Sequence, residues 1–409
     1  MHRRALRGAL AFVATAVLLS CGGGNPPGSS SSTTTTTTGT SGSNVVAVIV
    51  DAGPNSATEP AVNTLFTTVT VCVPGSTTEC QAIDNIQVDT GSYGLRILAP
   101  VLTLALPVTT FSDSSTLLEC AQFVDGYSWG PVATADIQIA GESASNVPVQ
   151  VIGSSSFTVV PSACSSIGPA EDTVATFGAN GILGIGPFAL DCGTGCTASS
   201  GFYYACTQTA CSDKDGVMPP VQVTNPVTLF ATDNNGTIIV LPGVAAAGAA
   251  TVSGSLIFGI DTESNNASGS QTVLTLDDSG YFTTTYNGAP LNQSFIDSGS
   301  NGLYFNDTSI TQCTNPDFTG FYCPTSTLSL TATLTGLNDV SATVDFSVAN
   351  TETQTDANPT FTVFPELAGS YSDSTSTFDW GLPFFFGRSV YNAIQGYTTS
   401  AGTGPYVAF

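Results

Sequence analysis

From Asn44 onward the chain is written in short apolar runs that alternate with polar residues. "NVVAVIV" (44–50), "FTTVTVCV" (66–73), "ADIQIAG" (135–141) and "TIIVLPG" (237–243) are separated by clusters of Gly, Asn, Asp, Pro and Ser. Val, Ile, Thr and Phe in period two, bounded by turn formers, predict β-strands. No amphipathic pattern runs for four helical turns, and the Lys, Arg and Glu that clothe exposed helix faces are scarce. The expected class is therefore all-β.

One strand ending occurs twice. "VDTGSYGL" (88–95) and "IDSGSNGL" (296–303) share an apolar residue, Asp, a small hydroxyl residue, Gly, Ser, any residue, Gly and Leu. Two copies of one strand-turn unit in a large β chain predict a body of two lobes, each built around one copy. The expected boundaries put the N-terminal lobe at 45–250 and the C-terminal lobe at 251–409. Between the copies, 122–141 reads as a hairpin whose tip, Asp125 to Gly130, carries Tyr127 and Trp129. Two aromatics exposed at such a tip would serve best as the cover of a cleft.

The letters of the repeat carry chemistry. The apolar residue before each Asp pins the strand in a core, and Gly91 and Gly299 permit a turn that a side chain would obstruct. Hydroxyls of Thr90, Ser92, Ser298 and Ser300 can donate to carboxylates or backbone and hold them still. If the two loops face each other, Asp89 and Asp297 come close, and like charges that close cannot both ionise. One carboxyl then keeps a proton while the other can take one from water, which provides both an acid and a base. The chain holds its own controls. Asp278-Ser279-Gly280 lacks the preceding apolar residue and the Gly-Leu, and "VDAGP" (50–54) lacks the hydroxyl, so both read as turns.

Composition narrows the field. The one histidine, His2, lies in the first twenty residues. Arg3, Arg4 and Arg7 precede an apolar run over 9–19, and the pattern Leu18-Leu19-Ser20-Cys21 resembles a lipobox, which predicts a signal at 1–20 and a lipid on Cys21. Without His2, a Ser-His-Asp triad, a Cys-His pair and a His-ligated zinc site are excluded from the mature chain. Residues 21–44 form a Gly/Ser/Thr tether that would hold the folded part roughly 25 Å from its anchor. A lipid-anchored protein of the bacterial cell envelope, at the outer membrane, is the expected location, with no membrane contact beyond the anchor.

Net charge is −24, from 30 Asp and Glu against 6 Lys and Arg, and only Arg96, Lys214 and Arg388 lie beyond the signal. Nucleic acid is thereby excluded as a partner, and tolerance of acid is expected. Ten cysteines follow Cys21, an even number for an exported chain. Cys72 with Cys80 and Cys313 with Cys323 are natural local bridges; Cys120, Cys164, Cys192, Cys196, Cys206 and Cys211 cannot be paired from sequence. A four-thiolate zinc site over Cys192 to Cys211 has loose spacing, and no metal is expected. "DNNG" (233–236) reads as a hairpin turn rather than a calcium loop.

The repeat resembles that of the pepsin-like aspartic proteases, whose two lobes each present an Asp-Thr/Ser-Gly loop. "NGILGIG" (180–186) is similar to the segment passing beneath the family's first loop, and "SGSLIFGIDT" (253–262) to the start of its second lobe. "GYFTTTYNGAPLNQSFIDSGS" (280–300) resembles the run into the second aspartate, and "DWGLPFFFGRSVY" (379–391) the Gly-x-x-Phe segment near the end. The resemblance covers most of 45–409. It implies Asp89 and Asp297 as the catalytic pair, Thr90 and Ser298 as mutual braces, Ser92 and Ser300 as carboxylate supports, and a flap at 125–130 with Tyr127 or Trp129 in the tyrosine's part. It also implies a monomer acting on peptide or protein substrates without a cofactor. Gly94 and Arg96 depart from the family's Asn and Trp, the flap lacks Tyr-Gly-Thr/Ser, and a tether stands where the family carries a basic prosegment. The chain is also similar to bacterial lipoproteins grouped as a domain of unknown function. Two functions are weighed: an acid-favouring endopeptidase, and a silent descendant that keeps the fold as a binding or adhesion module. Paired-carboxylate glycoside hydrolysis needs a wider gap and more aromatics than Trp129 and Trp380 supply.

Overall fold

The computed structural model describes residues 42–409 except 124–125, 167, 194–195, 197–200, 215 and 372–373. The signal, Cys21, most of the tether and Asp125 at the expected flap tip lie outside the described residues.

Strands dominate, as the period-two runs predict. Among the described residues helices are short, the longest being Thr351–Ala357, capped by the Asn350 side chain, which accepts from Thr353 N. The fold is all-β, bilobal and pepsin-like. Alternation places the apolar residues inside. In Leu65–Cys72, for example, Leu65, Val69 and Val71 enter the large core, while Phe66 on the opposite face joins a smaller one.

The first lobe's strands form most of a fifteen-stranded sheet that continues into a layer shared by both halves. Val45–Val50 pairs antiparallel with Val252–Phe258, and Gly236–Val240 pairs with Val252–Phe258 on one side and Ser389–Ala393 on the other. Seven strands make the second lobe's own sheet, with an aromatic cluster in which Phe305, Phe378 and Trp380 stack in series.

Among the described residues five disulfides tie the loops. Cys72–Cys80 and Cys313–Cys323 join the expected neighbours; the remainder pair as Cys120–Cys164, Cys192–Cys196 and Cys206–Cys211. The four cysteines weighed as a zinc site are thus spent on two bridges. Residues 233–235 bend directly into the strand Gly236–Val240, and the segment before them, Pro226–Leu229, is a 3-10 helix, so no hairpin forms there. Pro226 at the first helical position and the Asn225 side chain accepting from Val227 N explain that outcome.

Candidate active site

Each copy of the repeat sits in the same local weave. In the first lobe Cys80–Asp89 enters parallel to Gly181–Ile185, with Asp89 opposite Gly184, and Tyr93–Leu98 leaves antiparallel to that same strand. In the second, Ala289–Ile296 enters parallel to Phe378–Trp380, and Leu303–Phe305 leaves antiparallel to it. Asp297 N donates to Trp380 O at 3.0 Å. A strand threaded between the incoming and outgoing arms holds each Asp loop by backbone pairing on both sides.

The hydroxyl residues behind the aspartates lock the loops together. Thr90 N donates to Ser298 Oγ at 3.0 Å, and Ser298 N donates to Thr90 Oγ1 at 2.9 Å. The hydroxyls then donate onward across the interface, Thr90 to Ile296 O at 3.1 Å and Ser298 to Val88 O at 2.9 Å. Four bonds with twofold symmetry join residues more than 200 positions apart, and all four are buried. Gln87 Nε2 adds a fifth, to Gly299 O at 3.2 Å.

Each carboxylate is fixed by its own loop. Asp89 Oδ1 accepts from Gly91 N at 2.7 Å and Oδ2 from the Ser92 hydroxyl at 2.5 Å. Asp297 Oδ1 accepts from Gly299 N at 2.7 Å and Oδ2 from the Ser300 hydroxyl at 2.9 Å. The two glycines are needed because the opposite aspartate is so near. A Cβ on Gly91 would lie 2.6 Å from Asp297 Cγ, and one on Gly299 would lie 2.5 Å from Asp89 Oδ1. Neither has a positive φ, so close approach, not left-handed backbone, is what excludes a side chain.

Burial pushes the Asp297 carboxyl well above the usual range; the charge of Asp89 pushes it the same way, then that of Asp379, and Asp297 also shares a hydrogen bond with Asp89. The pair therefore holds a proton under conditions where isolated aspartates do not.

Two groups near the pair were not expected from the sequence. Asp379, buried in Phe378–Trp380, lies with Oδ2 2.6 Å from Ser300 Oγ, the hydroxyl that also contacts Asp297. The sequence did carry a signal for it: an Asp between Phe378 and Trp380 in a buried strand followed by Gly381. Tyr93 packs edge-on against Phe188, and its hydroxyl is raised beyond the ordinary tyrosine range by burial, then by the charges of Asp89 and Asp297. Tyr93 lines two cavities that flank the Gly91 loop. One, of about 190 Å³, includes Pro187, Phe188, Tyr281, Phe295 and Asn392; the other, of about 160 Å³, includes Ser92, Arg96, Glu119, Phe123 and Phe202.

The expectation for the hairpin needs correction. Tyr127 and Trp129 are 8% and 4% exposed and pack with Cys120, Cys164 and Tyr204. Trp129 Nε1 donates to Phe157 O at 3.0 Å, and its ring meets Tyr204 edge-on. Residues two apart on a strand share a face, and here that face looks onto the Cys120–Cys164 bridge. The hairpin's other strand, Thr116–Gln122, is the one that reaches the cavity beside the Asp89 loop. Arg96 anchors it: Nε and Nη2 donate to Glu119 at 3.3 and 2.5 Å, and Nη1 donates to Tyr93 O at 2.8 Å. Asp191 lies 3.5 Å from the same guanidinium and accepts from the Tyr203 hydroxyl at 2.9 Å. Where the pepsin-like pattern has Trp, Arg96 thus ties the strand that leaves the Asp89 loop to the hairpin through a buried charge cluster.

No curated protein matches the chain. Among solved structures, an aspartic proteinase from Irpex lacteus superposes with a TM-score of 0.51 over 89% of this chain and 96% of that chain, at 14% identity. That likeness is one of fold. The family model described as "Protein of unknown function (DUF3443)" matches residues 40–409, and the chain belongs to that family.

Proposed function

We propose that the protein is an aspartic-type endopeptidase, anchored to the bacterial outer membrane through a lipid on Cys21, that hydrolyses peptide bonds with Asp89, Asp297 and a water. The observation that carries this reading is the contact between two carboxyls held by matching loops, with one of them driven to keep its proton. Asp89 takes a proton from water as the oxygen adds to the scissile carbonyl, and Asp297 gives its proton to the carbonyl oxygen. The tetrahedral intermediate collapses when the C–N bond breaks; the nitrogen takes up the proton from Asp89, and a hydroxyl proton returns to Asp297. The flanking cavities would hold side chains on either side of the bond, and the aromatic lining of the larger favours apolar residues there. No step requires a cofactor.

The full chain should cleave an unfolded protein in acid, and a pepstatin-type inhibitor should stop it. Full activity in Asp89→Asn sinks the reading. A second reading, a silent binding or adhesion module, is favoured by one observation: the two aromatics expected over the cleft are packed away from it. Inhibitor-sensitive cleavage excludes it.

A further inference from the structure

We propose that Asp379 is a positioning residue that makes the site a unit of three carboxyls, sharing a proton with Asp297 through Ser300 and holding the pair singly protonated to higher pH. This rests on the endopeptidase reading for its effect on turnover, but its chemistry can be measured without substrate.

Ser300 Oγ lies 2.9 Å from Asp297 Oδ2 and 2.6 Å from Asp379 Oδ2. A hydroxyl has one proton to donate. If Ser300 gives it to one carboxylate, the other contact is a hydrogen bond only when that second carboxyl brings its own proton. The chain Asp297, Ser300, Asp379 is therefore complete with one proton on either aspartate, and shifting both hydrogens reverses the donors without moving a heavy atom.

Charge gives the same answer. Asp297, Ser300 and Asp379 are all fully buried, and Asp89 is nearly so. The strands packed against Phe378–Trp380 offer Phe295 and Ile296 on one side and Tyr304 on the other, whose hydroxyl donates to Asn301 Oδ1. Among the described residues the three basic side chains are placed elsewhere. Arg96 bonds Glu119, Arg388 lies over Phe384, and Lys214 lies over Phe111. With no cation at the cluster, each further ionisation puts like charge against like charge in a desolvated space. Three carboxyls part with their last proton at higher pH than two would, and that last proton is the one the catalytic pair needs. The neighbouring charge of Asp379 pushes Asp297 upward accordingly.

The other half-site has no counterpart. By register Gly184 faces Asp89 and Gly94, and in the second lobe Leu303 faces Trp380, so Asp379 occupies the position that Ile182 holds in the first lobe. Ser92 accordingly serves one carboxylate and Ser300 contacts two.

Asp379→Asn keeps the shape and a donor for Ser300 but cannot ionise. In the full chain the alkaline limb of kcat/KM should move to lower pH by roughly one unit or more. Infrared difference spectra supply the second readout. Near neutral pH, wild type minus Asp379→Asn should show the carbonyl stretch of a protonated carboxyl; Asp191 is present in both and cancels. An unmoved or upward-moved limb, or no difference band, overturns the inference. Should Asp379→Asn fail to fold, Ser300→Ala replaces it. There the protonated-carboxyl band should change frequency because the shared bond is gone, and an unchanged band overturns the inference. If wild type cuts nothing yet the infrared difference is present, the endopeptidase reading fails and the three-carboxyl unit stands. If wild type cuts and neither readout moves, the reverse holds.

Discussion

The two half-sites are alike where they meet and unlike one layer behind. Asp89 and Asp297 are each held by a glycine N–H and a serine hydroxyl, and Thr90 and Ser298 exchange equivalent bonds across the interface. The threaded strand of the second lobe brings Asp379 to Ser300, and at the equivalent register position the first lobe has an apolar Ile182. Two carboxyls in matched surroundings have no built-in reason to differ, and a general acid and a general base must differ. Asymmetry in such a pair can thus be set by the strand beneath the loop, leaving the loops themselves free to stay symmetric.

Replacing either aspartate with Asn should lower kcat/KM by about 10³-fold or more, because each substitution removes an acid or a base that no neighbour replaces. Steady-state cleavage at acid pH checks it, and a half-site that tolerates the change is not half of a site. Gly91→Ala and Gly299→Ala put a methyl group within 2.6 Å of the opposite carboxyl. Each should cost about 10²-fold in kcat through displacement of the reacting groups. Equal losses would confirm that both loops press on the dyad; a loss in one alone would show that only one does.

Thr90→Ala and Ser298→Ala each remove a hydroxyl that donates to one buried backbone group and accepts from another. Both should destabilise the fold by about 2–4 kcal/mol, read by denaturant unfolding, since the partners left behind are buried. The two values should agree to within about 1 kcal/mol if the braces are equivalent.

The smallest effect concerns pH and stability. Asp297 and Asp191 are both raised in the folded protein, first by burial and then by neighbouring carboxylates. Raised groups contribute stability that is complete below the ordinary aspartate range and is lost as pH climbs through their folded values. Asp261 and Asp307 are lowered in spite of burial, because Ser268 and Ser400, and Ser309 and Tyr286, donate to them. Their contribution is present above the ordinary range and lost as pH falls through the depressed values. Tm should accordingly peak in mild acid and decline toward neutrality, and Asp191→Asn should flatten that decline.

The pairing of the Asp89 and Asp297 loops was legible in the sequence because each loop is local: seven or eight residues, written twice, set the turn, its glycine and its supports. The all-β fold was legible from alternation, as in Leu65–Cys72. The part of Asp379 was not: its place between Phe378 and Trp380 marks the residue, but its partner Ser300 is reached through strand register across 79 positions. Tyr127 and Trp129 were misplaced for a related reason. Their shared face is fixed by alternation, but which way that face looks is fixed by Cys120–Cys164, a bridge that spacing did not single out. Arg96 read as a departure from a familiar pattern; its purpose needed Glu119 and Asp191, brought from two other segments.

The claim that the two loops form one acid-base site is tested most directly by calorimetric titration of the full chain with a pepstatin-type inhibitor at acid pH, beside Asp89→Asn and Asp297→Asn. One inhibitor should bind per chain, and either substitution should abolish binding to a similar degree. Binding that survives both substitutions, or none to the unmutated protein, would contradict the account.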